Sequence, residues 1–157
     1  MESAVGKGTT FTIALPLMKA GAETEVAGKE AAGVGGTETI LVVEDDDTVR
    51  DMARAVLEGF GYTVISAADG EEALKLFNEN REAISLAILD IIMPKRDGMR
   101  MFEEMRTQNP SLRRLFISGY ADDVLKSKGV DGGNSDFLRK PFSPLELAAK
   151  VREILDG

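Results

Sequence analysis

Five polar residues stand where side chains can do chemistry, each close behind a short apolar run that is typical of a buried strand. They are Glu44, Asp45, Asp90, Ser118 and Lys140. The carboxyl ends of parallel strands meet at one edge of a sheet, so these residues would line a single acidic pocket that also holds a hydroxyl and an ammonium group. Such a combination predicts a phosphoryl-transfer site that works with a bound metal ion.

The acidic residues suit a divalent cation. The carboxylates of Glu44, Asp45 and Asp90 would repel one another in a shared pocket, whereas a cation with oxygen ligands would hold all three ionised. Mg²⁺ fits best because it uses few carboxylates and keeps several waters. Helix capping is the alternative for Glu44 and Asp45, and it is the role that we expect for Asp46 and Asp47. Asp90 favours the metal, since a carboxylate that closes a buried strand is costly unless a charge meets it.

Asp90 is also the expected nucleophile, because a carboxylate can attack phosphorus and form an acyl phosphate. Such a transfer needs positioning and charge neutralisation more than it needs a base. The ammonium group of Lys140 can neutralise one phosphoryl oxygen, and the Ser118 hydroxyl can donate to another. Taken alone, a lysine is usually a solvated surface group and a serine before a glycine is usually part of a turn. Their places after the fourth and fifth predicted strands favour the functional interpretation.

The composition narrows the classes of function. The 157 residues, of which 43% are hydrophobic, predict one domain of ordinary size plus some extra chain. A formal net charge of −8 argues against a surface that binds nucleic acid or anionic lipid, so proteins are the expected partners. Without cysteine there are no disulfides or zinc-thiolate sites, and no apolar run approaches the roughly 20 residues of a membrane span. We therefore expect no membrane contact by this chain and a cytoplasmic location, also where the parent protein is attached to a membrane. Because the chain has no histidine, a phosphohistidine donor must lie elsewhere.

From residue 38 onward the hydrophobic pattern alternates between strand and helix five times. The predicted strands are residues 39–43, 62–65, 86–89, 115–117 and 137–138. The predicted helices begin at Asp47 as a cap, at Asp69-Gly70, at Asp97-Gly98, at Asp122 for a weaker helix over 122–128, and at Ser143 with its capping partner Glu146. Alternating strands and helices favour an α/β fold with right-handed crossovers. The specific prediction is a flavodoxin-like, doubly wound, five-stranded parallel sheet of order 2-1-3-4-5 with five helices.

The first 37 residues have a different pattern. Residues 1–17 contain one alternating segment, with Phe11, Ile13 and Leu15 on one face and Pro16 after it, which predicts a half-buried strand. Residues 18–37 are rich in alanine, glycine and charge and indicate a flexible linker. The predicted domain therefore spans residues 38–157.

Four stretches of the chain resemble the receiver domain of two-component response regulators over about residues 38–156. They are Val42-Val43-Glu44-Asp45-Asp46, Leu89-Asp90-Ile91-Ile92-Met93-Pro94 with Asp97-Gly98, Ser118-Gly119-Tyr120, and Lys140-Pro141-Phe142. These pieces are specific because they occur in order and on the expected elements. The resemblance implies a phosphorelay function, in which a histidine kinase or a histidine phosphotransfer protein supplies the phosphoryl group.

The same resemblance implies a role for each site residue. Asp90 would accept the phosphoryl group, while Glu44, Asp45, Asp90 and the backbone carbonyl of Ile92 would bind Mg²⁺. Lys140 would bind the phosphoryl group and precede a cis peptide bond to Pro141. Ser118 would be the switch hydroxyl and Phe137 the rotating aromatic side chain. The chain departs from the commoner pattern in having Glu-Asp where Asp-Asp is usual and serine where threonine is frequent, and neither change removes a needed group.

Residues 3–16 are similar to the last strand of the ATP-binding domain of histidine kinases, with its glycine box before it. This second resemblance covers about 14 residues and contributes no complete nucleotide site. It implies that the chain comes from a hybrid sensor kinase, with the receiver at its C-terminal end. Two alternatives are a receiver-like module that binds proteins without turning over phosphate, and a transcription regulator. The intact set of site residues argues against the first, and the acidic charge and the end of the chain after the last helix argue against the second.

Overall fold

Five parallel strands form the sheet that the sequence predicts. The computed structural model describes residues 2–3, 9–10, 35–93, 97–119 and 136–157. The strands are β1 (Glu2–Ser3), β2 (Thr9–Thr10), β3 (Thr39–Val43), β4 (Thr63–Ala67), β5 (Ile84–Asp90), β6 (Arg113–Ser118) and β7 (Phe137–Arg139). The sheet has the order β4-β3-β5-β6-β7. All four pairings are parallel, which confirms the predicted 2-1-3-4-5 order.

The helices of the described residues are α1 (Asp47–Gly59), α2 (Gly70–Asn80), α3 (Gly98–Gln108) and α4 (Pro144–Asp156). The weaker helix predicted over 122–128 and the loop after it lie outside the described residues. No helix in the described part of the chain is both long enough and apolar enough to cross a membrane.

The central strands are apolar throughout because each of their faces is covered by helices. In β3, Leu41 and Val43 lie in one hydrophobic cluster, which also contains apolar residues of α2 and α3. Ile40 and Val42 point to the other face and pack with α1 and α4. Alternate residues of a strand face opposite sides of the sheet, so a strand buried on both sides requires a continuous apolar run.

The helix ends place the polar residues that follow each strand. The N-cap of α1 is Asp46, whose carboxylate accepts hydrogen bonds from the backbone N–H groups of Thr48 and Val49. The expected capping role of Asp46 is thus confirmed, whereas the prediction of Asp47 as the cap was wrong by one residue, because Asp47 is already the first helical residue. The predicted capping box of α4 is confirmed, since Ser143 accepts from the backbone of Glu146 and the Glu146 carboxylate accepts from the backbone of Ser143.

The segments before β3 are described only in part. β1 and β2 pair with each other in antiparallel fashion, and the remainder of the strand predicted over 9–15 lies outside the described residues. Gly36, which the sequence places in the linker, donates a backbone hydrogen bond to the carbonyl of Phe60 at 3.1 Å. Glu38 forms an ion pair with Arg152 of α4 at 3.0 Å. The chain thus already contacts the domain two residues before the predicted boundary.

Candidate functional site

The register of the sheet brings the predicted acidic residues together. β3 and β5 pair with Val43 opposite Leu89. The residues that follow these two, Glu44 and Asp90, therefore lie side by side at this edge of the sheet. Carboxylate oxygens of Glu44, Asp45 and Asp90 all lie within 4.8 Å of one another. Of the three residues, Glu44 and Asp90 are buried and Asp45 is exposed. The cluster therefore consists of two buried carboxylates and one that faces the solvent.

Lys140 supplies the positive charge of this cluster. Its Nζ lies 2.7 Å from Glu44 Oε2 and 2.7 Å from Asp90 Oδ2. The side chains of Glu44 and Asp90 are only 1% and 10% exposed, and that of Lys140 is 20% exposed. A charge at such depth is stable only when an opposite charge or a hydrogen-bond donor meets it. One ammonium group here serves two carboxylates.

The burial of the cluster perturbs its titration. Burial raises the pKa of Glu44, and the neighbouring Asp90 adds to this effect, whereas the Lys140 ammonium opposes it without reversing it. Burial alone would lower the pKa of Lys140, because it disfavours the charged ammonium. The hydrogen bonds and negative charges of Asp90 and Glu44 outweigh this effect, so the pKa of Lys140 is raised. Lys140 is consequently a cation throughout the neutral range.

The backbone after Asp90 holds its carboxylate in place. The N–H of Ile92 donates to Asp90 Oδ1 at 2.9 Å, and the N–H of Ile91 donates to the Ile117 carbonyl of β6 at 3.1 Å. Gly98 lies against the same turn, because a Cβ atom at this position would be 2.1 Å from the carbonyl oxygen of Asp90. A glycine is needed here for close approach, and the Asp90 turn and the start of α3 are locked together.

Ser118 and Phe137 lie on the neighbouring strands. Ser118 ends β6 and is fully buried, and its carbonyl accepts a hydrogen bond from the backbone N–H of Lys140 at 2.9 Å. The Lys140-Pro141 peptide bond is cis, as the family resemblance implies. Phe137 begins β7 and is partly buried against the cluster that contains α2 and α3. Ser118 and Lys140 are therefore adjacent on the site edge, and Phe137 begins the strand that ends one residue before Lys140.

The donor set fits a hard divalent cation. All side-chain donors of the cluster are carboxylate oxygens, which Mg²⁺ prefers over nitrogen and sulfur. Glu44 Oε2 is buried and lies 2.7 Å from the Lys140 ammonium, which Glu44 shares with Asp90. Two carboxylates that share one ammonium keep a net negative charge, which a further cation can neutralise. The residues present are thus compatible with Mg²⁺, with Glu44, Asp45, Asp90 and the Ile92 carbonyl as the candidate ligands.

Sequence reasoning missed two residues that shape this site. Arg50 of α1 donates to the backbone carbonyl of Glu44 at 2.8 Å, and only its spacing of three residues from Asp47 hinted at an interaction. Gly98 was recognised as the start of a helix but not as the contact with Asp90. Both interactions depend on where a backbone carbonyl points, and no residue pattern encodes that direction.

Known proteins are similar to this chain over the region that forms the site. The model of the response regulator receiver domain matches residues 40–152. The chain is 39% identical over 163 aligned positions to the sensor kinase CckA of Brucella abortus (strain 2308), covering 99% of the chain and 17% of that kinase. It is 38% identical to the alkaline phosphatase synthesis transcriptional regulatory protein PhoP of Bacillus subtilis (strain 168), covering 74% of the chain and 48% of that regulator.

A solved structure shows the same similarity. The crystal structure of the receiver domain from the hybrid histidine kinase CckA is 40% identical and superposes with a TM-score of 0.62, covering 74% of this chain and 98% of that one. The chain thus spans less than half of the two full-length relatives but matches nearly the whole of an isolated receiver.

Proposed function

Since the chain belongs to the response regulator receiver domain family, we propose that it accepts a phosphoryl group on Asp90 from a phosphohistidine of another protein or domain. The observation that carries the proposal is the pairing of the buried Asp90 carboxylate with the Lys140 ammonium at 2.7 Å, inside the three-carboxylate cluster. An anionic nucleophile, a fixed cation and a cluster of oxygen ligands are what phosphoryl transfer requires.

The transfer breaks the N–P bond of the phosphohistidine and forms an O–P bond at Asp90. The electron pair of the broken bond stays on the imidazole nitrogen, which takes up a proton. No general base is needed because the attacking carboxylate carries no proton to remove. The Lys140 ammonium lies beside Asp90 Oδ2, so it is close enough to donate to an oxygen of the transferred phosphoryl group and to neutralise its charge. Slow hydrolysis of the acyl phosphate by water would reset the site.

Mg²⁺, held by Glu44, Asp45, Asp90 and the Ile92 carbonyl, would supply further neutralisation of the phosphoryl oxygens. The negative charges at the site need this neutralisation because Glu44 is buried and water cannot solvate its carboxylate. With two buried carboxylates already sharing one ammonium, a phosphoryl group of roughly −1.5 to −2 charge would be strongly disfavoured without an added cation. We therefore propose that phosphorylation depends on divalent metal.

The response to phosphorylation would pass through Ser118 and Phe137. Ser118 ends β6 next to the backbone of Lys140, and its hydroxyl can move toward a phosphoryl oxygen on Asp90. Phe137 is only partly buried and borders the hydrophobic cluster, and movement of Ser118 would leave it room to turn inward. The result would be a two-state surface around β7, at which partner proteins distinguish the phosphorylated form.

Acetyl phosphate tests the acceptor directly. We expect intact-mass spectrometry to show one added phosphoryl group on the wild type with Mg²⁺ and none with EDTA. Asp90→Asn should remain unmodified, whereas Asp51→Asn, which changes an exposed carboxylate of α1, should react like the wild type. Failure of the wild type to react where a known receiver does would contradict the proposal and favour a receiver-like module that binds proteins without phosphorylation.

We also propose that the parent protein is a hybrid sensor histidine kinase. Two observations support this: the alignment with the sensor kinase covers 99% of the chain, including the residues before 38, and residues 3–16 resemble the end of a kinase ATP-binding domain. The division into a kinase remnant, a linker and a receiver follows from the same proposal, and a cytoplasmic location stays a prediction. The coding sequence upstream of Met1 tests it, since a kinase parent requires a histidine-bearing and an ATP-binding domain in the same reading frame.

A further inference from the structure

Arg50 contacts the turn that carries two of the candidate metal ligands. Its guanidinium NH1 donates to the backbone carbonyl of Glu44 at 2.8 Å, six residues earlier in the chain, and its NH2 pairs with the Asp47 carboxylate. The Arg50 side chain is only 16% exposed, whereas that of Asp47 is 82% exposed. Arg50 therefore reaches inward to the end of β3 while Asp47 holds its outer edge.

The Glu44 carbonyl belongs to the peptide group that joins Glu44 to Asp45. On its other side, the Glu44 N–H is held by the Ala67 carbonyl of β4 at 3.2 Å. A peptide group is planar, so fixing the direction of its carbonyl also fixes its N–H and the following Cα atom. Arg50 thereby helps to fix the Cα atom from which the Asp45 side chain extends. Asp45 is the exposed member of the carboxylate cluster.

We infer that Arg50 is a positioning residue of the metal site, which orients the Glu44–Asp45 peptide for Mg²⁺. The inference rests on the proposed function, because it presupposes that the cluster binds the metal. The effect expected of Arg50 on the Mg²⁺ affinity is opposite in sign to the effect of its positive charge. A guanidinium near the cluster repels a dication, so a residue acting only through its charge would weaken Mg²⁺ binding, and its removal would tighten it.

The test is a Mg²⁺ titration of the full chain, in which the NMR shifts of the backbone amides report metal binding. Removal of groups that orient metal ligands typically weakens metal binding by about 10-fold to 100-fold. We expect Arg50→Gln to weaken the Mg²⁺ affinity by about tenfold. Arg50→Lys retains a charged donor and should recover part of that loss. The matched control is Arg54→Gln, one turn along α1, where an exposed arginine pairs with Glu58 at 2.8 Å, and it should bind like the wild type.

Two further readouts separate positioning from a general structural role. In metal-free protein, the amide proton of Glu44, which donates to the Ala67 carbonyl at 3.2 Å, should exchange faster in Arg50→Gln, while amides in the middle of β5 keep their wild-type protection. Urea unfolding shows whether each variant is folded, and Arg50→Lys keeps the test available should Arg50→Gln not fold. Equal or tighter Mg²⁺ binding by a folded Arg50→Gln or Arg50→Lys would overturn the inference while leaving the phosphoacceptor proposal intact. A wild type that binds no Mg²⁺ would overturn both the inference and the metal dependence.

Discussion

Replacing Lys140 by methionine removes the ammonium group that the buried carboxylates of Glu44 and Asp90 share. At 2.7 Å and an effective dielectric constant near 20, each ion pair of Lys140 with Glu44 or Asp90 is worth about 6 kcal/mol of gross attraction. The desolvation of three charges offsets most of this. Removal of one partner from a buried ion pair costs about 3–5 kcal/mol, because a buried charge remains without compensation. Since Lys140 is itself 20% exposed, we expect a loss of about 3 kcal/mol for Lys140→Met.

Urea unfolding at pH 7 in EDTA measures this change. The matched control is Lys150→Met in α4, since Lys150 is also 20% exposed but pairs with Glu153, which is 57% exposed. The control should lose less than about 1 kcal/mol, as surface ion pairs do. Adding Glu44→Gln to Lys140→Met should restore part of the lost stability, since it removes one of the uncompensated carboxylates.

The same variant has a signature in its pH dependence. The pKa of Lys140 is raised above its ordinary 10.5 in the folded protein. A base with a raised pKa contributes stability that is fully present below the unfolded-state pKa and lost as the pH rises through the folded-state pKa. The difference in stability between the wild type and Lys140→Met should therefore stay constant below about pH 10.5 and shrink as the pH rises further, through the raised pKa of Lys140. A Lys140→Met protein within about 0.5 kcal/mol of the wild type at pH 7 would refute the reasoning about the shared ammonium.

Three other substitutions probe the surroundings of the site. Gly98→Ala places a Cβ 2.1 Å from the Asp90 carbonyl oxygen, and it should cost about 2 kcal/mol in urea unfolding and slow phosphorylation; Gly59→Ala, where no atom lies within 4 Å of the added Cβ, should be neutral or slightly stabilising. Asp46→Ala removes the N-cap of α1 and should lower the free energy of unfolding by about 1 kcal/mol, and an unchanged value would show that the cap is replaced. Phe137→Ala should abolish the change in amide exchange of β7 on phosphorylation, and full wild-type switching in that variant would exclude Phe137 as the coupling residue.

Most of the fold could be predicted because its signals are local. The continuous apolar runs of β3 and β5 indicate strands covered on both faces, and Ser143 with Glu146 marks the start of α4 through a motif of four residues. The sequence assigned capping of α1 to both Asp46 and Asp47, because the two residues are chemically identical and only the backbone direction shows that Asp46 is the cap. The strands β5 and β6 extend further than their apolar cores, since their outer residues are held by neighbouring strands rather than by their own hydrophobicity.

The chain of amino acids by itself determined the kind and order of the elements, and it placed Glu44, Asp90, Ser118 and Lys140 behind strands that had to end at one edge. Periodicity and residue chemistry suffice for this, because they report which residues face the core. Only the tertiary structure decided which polar atoms meet: the ammonium of Lys140 between two carboxylates, one of them 50 residues away, and the guanidinium of Arg50 on the Glu44 carbonyl. Such contacts depend on strand register and packing to within an ångström, and a one-dimensional pattern does not specify distances of that size.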